Sequence, residues 1–173
     1  PSHETGKIGA DNPDNLYLMA RISGRNEYRI RGERGSVFYL SFGAQKGGYE
    51  TNGRMEQTGF IDAHELKTNP DGSFEILVSE KPQSGNWLKL EPESNAIIVR
   101  QTFKDRAQER PAQLRIERLG SAARPEPYSA ERLQRNLANT AKFVESTAKL
   151  FADWAQSYLP RVNELPPADQ GMC

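Results

Sequence analysis

The chain has 173 residues, with 23 Lys and Arg against 23 Asp and Glu. That length fits one domain able to bury about 70% of its unfolded surface, and the balanced charge sets up no long-range field to steer the chain onto nucleic acid or an anionic membrane. The mean hydropathy of -0.77, a single cysteine at Cys173, and the lack of any run near the roughly 18 apolar residues of a span exclude a membrane helix, an internal disulfide and a cysteine-based zinc site.

Residues 1–15 read as an irregular polar arm without the pattern of a secretion signal. The chain does not open on Met, so we expect a processed or excised part of something longer. A lone cysteine suits a reducing, cytoplasmic setting.

From Leu16 to Leu119 the apolar residues alternate with polar ones and turn residues recur at short intervals, which is how antiparallel strands read. Leu16, Leu18, Ala20 and Ile22 mark a first strand, Tyr28 and Ile30 a second, and Val37 to Phe42 a third. Between Gly43 and Gly59 five glycines dilute the rhythm, and the segment reads as a long mobile loop. A helical turn is expected at Asp62 to Leu66, capped by Asp62. Asn69-Pro70-Asp71-Gly72 is a strong turn signal leading into Phe74, Ile76 and Val78. Asn86 to Leu90, Ala96 to Phe103 and Gln113 to Leu119 bring the total to about seven strands at hairpin spacing, which favours an antiparallel β-sandwich of jelly-roll type over residues 16–120.

A Pro-containing linker over 121–128 follows, and the period then changes to about 3.5. One long amphipathic helix is expected over 129–159, capped by Ser129, with Glu131 at the positive end of its dipole. Leu133, Leu137, Thr140, Val144, Thr147, Phe151, Trp154 and Tyr158 form a single seam about 38 Å long, taking the 1.5 Å rise per residue. A domain this size is only about 32 Å across, so part of the seam should project. It then pairs with a missing lobe or with a second copy of the chain; the other reading lays the helix flat across the sheet. Residues 160–173 read as an irregular tail behind Pro160.

The strand elements carry a resemblance. Asp71-Gly72-Ser73 before Phe74-Glu75-Ile76, then Asn86-Trp87-Leu88, then Arg100 within Ile97-Ile98-Val99-Arg100, stand in the order and spacing of the family called domain of unknown function 1214. Stretches like Asn12 to Tyr17 and Glu164 to Pro167 also occur in it, so the resemblance runs from Ile8 to about Gln170. Lys89 and Thr102 depart from its pattern. The resemblance implies a jelly-roll-like sandwich forming one lobe of a longer, two-lobed protein, and it implies no activity.

Chemistry is sparse. His3 lies in the polar terminus and His64 in the expected turn, without a second ligand at metal spacing, and no nucleophile elbow surrounds Ser73. No metal or cofactor is expected, and catalytic residues stay unknown. Lys46-Gly47-Gly48 lacks the pattern of a phosphate loop. Arg21, Arg25, Arg29, Arg31 and Arg34 are interrupted by Glu27 and Glu33, and read as a solvated strand face with cross-strand ion pairs. Glu91, Glu93 and Asp105 read as surface acids.

Arg100 stands out because three apolar residues precede it. We expect it to be shielded, and a buried guanidinium needs a partner. It either pairs with a carboxylate or offers its fork to an anionic ligand, with Trp87 as an apolar wall and the Asn86 amide as an orienting group. The leading reading is a non-catalytic structural or small-molecule-binding module within a larger protein or homo-oligomer. The alternative is an enzyme acting on a small anionic or carbohydrate-like substrate near Arg100, Asn86 and Trp87.

Overall fold

The computed structural model describes residues 12–49, 54–120, 127–160 and 163–164. Among these residues eight strands lie in chain order: β1 Asn15–Arg21, β2 Tyr28–Glu33, β3 Tyr39–Gly48, β4 Arg54–Ile61, β5 Ser73–Ser79, β6 Asn86–Lys89, β7 Ser94–Thr102 and β8 Gln113–Arg118. One helix, α1 Ala130–Ser157, follows. The strands form a first sheet in the order β1-β7-β3-β4 and a second in the order β6-β5-β2-β8.

Alternation decides which side chains meet. In the first sheet Leu18 and Phe42 both register with Val99, and Ala20 and Ala44 with Ile97, so these rows point inward together. In the second sheet Ile30 registers with Ile76 and Tyr28 with Val78. The two inner faces share one core, in which Val37, Leu40, Phe42, Ile76, Val78, Leu88 and Leu90 are fully buried. Phe42 of the first sheet meets Phe74 of the second edge to face, with ring centroids 5.8 Å apart. Full burial of each such side chain is worth about 1.5–3 kcal/mol, so this shared interior, and not the hairpins singly, holds the sheets together.

The segment from Gly43 to Gly59 is a correction to the sequence reading. It holds the end of β3 and most of β4, which raises the strand total to eight; positions 50–53 lie outside the described residues. Its glycines serve packing. A Cβ on Gly59 would fall inside contact distance of the Lys89 carbonyl oxygen, so only glycine lets β4 run against the backbone that leaves β6. Buried Thr58 and Ser94 close the same edge with a 2.8 Å hydroxyl contact. The Asp71-Gly72-Ser73 turn forms as expected: Gly72 takes φ 82° and donates to the Asn69 carbonyl at 2.9 Å, and Ser73 N–H donates to Asp71 Oδ1 at 2.9 Å.

The chain falls into two compact units, one built on the two sheets and one joining the tip of the β3–β4 hairpin to α1. In the second unit Ser129 Oγ accepts from the Arg132 N–H at 3.2 Å, with Glu131 in the first turn. Tyr49 of the hairpin tip packs on Phe143 and Phe151, with centroids 6.1 and 6.3 Å away. Phe151, Trp154 and Tyr158 continue the stack, and Trp154 Nε1–H donates to the Tyr158 hydroxyl at 2.9 Å. No residue of α1 is buried. The half-covered stripe is Phe143, Ser146, Thr147, Leu150, Phe151 and Trp154, whereas Leu133, Leu137 and Val144 of the expected seam are 46%, 62% and 61% exposed. Every residue from 127 to 142 is exposed, so Leu133 and Leu137 are uncovered because the first half of the helix has no cover on any side among the described residues.

Candidate functional site

Strand β7 runs through the middle of the first sheet, where one face meets the core and the other does not. Ile97, Val99 and Gln101 take the inner positions and are 1%, 6% and 0% exposed. Ile98, Arg100 and Thr102 take the outer ones. Arg100 is therefore exposed, which corrects the expectation of a shielded guanidinium. The apolar run Ile97-Ile98-Val99 mixes two faces, and counting by twos from Ile97 puts Arg100 on the opposite side.

Register fixes what surrounds it. Across the outer face Tyr17, Arg100 and Ser41 make one row; Asn15, Thr102 and Tyr39 make the next; Met19, Ile98 and Gly43 make the row on the other side. The Arg100 guanidinium lies over the Tyr17 ring, 5.4 Å from its centroid. Tyr17 is held in turn: Asn15 Nδ2 donates to its hydroxyl at 2.8 Å, and Thr102 Oγ1 donates to Asn15 Oδ1 at 2.7 Å. Among the described residues no carboxylate comes within ion-pair distance of Arg100. A planar cation backed by an aromatic ring, with no carboxylate on its fork among the described residues, can receive an anion in bidentate fashion.

Beside that row, the Tyr39 hydroxyl donates to Asp62 Oδ2 at 2.9 Å, and His64 Nδ1 approaches Asp62 Oδ1 at 2.6 Å. Partial burial, and then the bond to Asp62, push the Tyr39 hydroxyl above its ordinary pKa, against smaller opposing effects of Ser41 and Arg100. At Asp62 partial desolvation acts upward, but the Tyr39 hydroxyl and the His64 N–H and ring outweigh it together and hold the carboxyl below its usual range. Asp62 also opens the expected turn, accepting from Glu65 and Leu66 N–H through its carbonyl at 3.0 and 3.2 Å. His64 is a surface residue, as the sequence suggested.

Asn86 and Trp87 sit elsewhere, on β6 at the edge of the second sheet. There β6 returns parallel to β5 through residues 80–85 alone, where parallel neighbours ordinarily need a dozen or more. The Asn86 amide fastens this return: Nδ2 donates to the Lys67 and Glu75 carbonyls at 2.8 and 2.9 Å, and Oδ1 accepts from Lys67 N–H at 2.8 Å. Trp87 Nε1–H donates to the Ser79 carbonyl and hydroxyl at 3.1 and 3.2 Å. The polar atoms of both are occupied by the chain itself, and the fold does not bring them to Arg100.

The other candidates resolve into structural pairs. Arg29 and Arg31 bridge Glu75 and Glu117 on neighbouring strands at 2.8–3.8 Å, the cross-strand pairing expected of that basic stretch. Lys46 pairs with Glu91 at 3.0 Å, and that hydrogen bond, followed by the ammonium charge, holds Glu91 below its usual range. A concavity of about 450 Å³ lies over Gly32, but Arg31 and Glu75 in its wall are already joined at 2.8 Å. Among the described residues no group of three or more His, Cys, Asp or Glu converges to hold a metal, and no helix is long and apolar enough to cross a membrane. Sequence reasoning missed Tyr17, Tyr39 and Gly43 as neighbours of Arg100. Only the pairing register makes them so.

No family model and no curated protein matches the chain. Among solved structures it is similar to an uncharacterised protein from Burkholderia cenocepacia, at 63% identity and a TM-score of 0.93. That match covers 100% of this chain and 48% of the other. A weaker match, to the VPA0106 protein from Vibrio parahaemolyticus, has 17% identity and a TM-score of 0.45 over 60% of this chain and 31% of that one. The chain thus spans about half the length of the Burkholderia protein whose fold it shares.

Proposed function

We propose that the chain is a non-catalytic binding module of a longer protein, and that its first sheet receives a small anionic ligand at Arg100. The observation that carries this reading is the Arg100 fork, backed by Tyr17 and without a carboxylate partner among the described residues. The carboxyls with a resolved shift, Asp62, Asp71, Glu91 and Glu131, are all held low, which suits fixed negative charge more than proton delivery. Calorimetric titration with small carboxylates, phosphates and neutral sugars tests the reading. An anion should bind the parent chain and lose at least tenfold in affinity with Arg100→Met at unchanged melting temperature. Equal binding by parent and variant would refute it.

The same proposal takes the sandwich as jelly-roll type, since the chain passes repeatedly between the sheets. It takes the kinship to domain of unknown function 1214 as resting on the Asp71-Gly72-Ser73, Asn86-Trp87-Leu88 and Arg100 elements, and the setting as cytoplasmic in keeping with the lone Cys173.

A second reading concerns α1. Leu133, Leu137 and Val144 are exposed along one side, and the chain corresponds to only 48% of the Burkholderia protein. We assign that side to the remaining half of the longer protein. Light scattering on the isolated chain should then find a monomer, and Leu137→Glu should leave its melting temperature unchanged. A dimer split by the substitution would give the surface to a second copy instead.

A further inference from the structure

Resting on the Arg100 reading, we infer that the ligand is a carboxylate carrying a medium-length alkyl or aryl body, its head on Arg100 and its body along the row of Met19, Ile98 and Gly43. Charge selects the head. Among the described residues Arg100 is the only cation on the two rows that hold Tyr17, Ser41, Asn15, Thr102 and Tyr39, and the Arg106 guanidinium at the Asn15 end is taken up by the Pro13 and Asn15 carbonyls at 2.6–3.0 Å. The Asp62 carboxylate lies at the end of the Tyr39 row. One guanidinium next to a fixed negative charge suits a monoanion better than a phosphate dianion, which gathers several cations.

Geometry selects the body. The Met19, Ile98 and Gly43 row lies two residues along the strands from Arg100, about 7 Å at the usual strand rise. Met19 is 55% exposed, and Phe60, next to Gly43, is 40% exposed. A Cβ on Gly43 would stand 3.8 Å from both Phe60 Cδ2 and the Ile98 carbonyl oxygen. Gly43 is itself buried, with Gln45 Nε2 4.0 Å from the same point, so the exposed apolar surface along this row is that of Met19 and Phe60. The following row, Arg21 and Gln45 across Ala96, is polar at its ends, so the apolar track is one row deep. A one-row track takes a body of several carbons and gains nothing from a long chain.

The test is an NMR titration of the ¹⁵N-labelled chain with acetate, butanoate, hexanoate, octanoate and dodecanoate, with octan-1-ol as the uncharged control. Affinity should rise up to about fourfold per methylene, the ratio that corresponds to complete burial of each group. The rise should stop near eight carbons, with shifts at Gly43, Ile98 and Phe60. Met19→Ser removes an exposed apolar side chain of that row, so it should fold; it should weaken octanoate several-fold and leave acetate unchanged. Arg100→Met should weaken every carboxylate and leave octan-1-ol unchanged. If acetate and octanoate bind equally and both depend on Arg100, the amphipathic ligand is overturned and the anion reading stands. If octan-1-ol binds as well as octanoate, or no carboxylate depends on Arg100, both fall.

Discussion

Asn86→Ala separates a fastening role for this residue from a ligand-binding one. The substitution removes three hydrogen bonds of 2.8–2.9 Å, two donated to the Lys67 and Glu75 carbonyls and one accepted from the Lys67 N–H. At roughly 0.5–1.5 kcal/mol apiece their full loss would cost about 1.5–4.5 kcal/mol. These bonds lie at exposed positions, where water replaces part of what is lost, and that brings the expectation to about 1–2 kcal/mol. For a chain of this length such a loss lowers the melting temperature by roughly 2–8 °C. The weakness should be local, because Asn86 ties the 80–85 return to β5 and to the segment at Lys67. Thermal unfolding gives the magnitude, and hydrogen exchange at Trp87 and Leu88 gives the place. Anion binding at Arg100 should be untouched. A variant that melts like the parent but binds an anion less well would refute the assignment.

Two further outcomes follow from the packing and the charges. Gly59→Ala drives a methyl group into the Lys89 backbone and should destabilise the chain by about 1–3 kcal/mol in chemical denaturation, the usual cost of overpacking a site with backbone neighbours; a neutral result would mean that β4 can move away from β6. Asp62, Asp71, Glu91 and Glu131 are held below their ordinary values, so their contribution is fully present above the unfolded carboxyl pKa, near 4, and is lost as pH falls through the lower folded values. Melting temperature should therefore drop as pH falls below about 4, less steeply in Asp62→Asn, and parallel curves for variant and parent would count against Asp62.

The strands were legible where each residue has one task. Leu16, Leu18 and Ala20 alternate because β1 has a single inner face, and the rows they make with Gln101, Val99 and Ile97 repeat that alternation. The glycines from Gly43 to Gly59 hid a strand because composition reports only that a side chain is missing. Gly59 lacks one because Lys89 stands in its way, and Gly43 has room for one in ordinary contact with Phe60 and Ile98. None of these neighbours is close in sequence to the glycine it faces, so composition could not separate these cases from a loop.

The site was half legible for the same reason. Arg100 attracted notice through its chemistry, yet its surroundings were drawn from sequence motifs, which put Asn86 and Trp87 beside it. Local spacing cannot decide that, because β6 and β7 are consecutive in the chain but belong to different sheets. The neighbours of Arg100 come from β1 and β3, whose residues Tyr17 and Ser41 lie far along the chain and share its row. A side chain on a central strand is chosen by its cross-strand partners. For that reason, substitutions at Tyr17 or Met19 report on an Arg100 ligand more directly than any change at Asn86, whose polar atoms answer to Lys67 and Glu75.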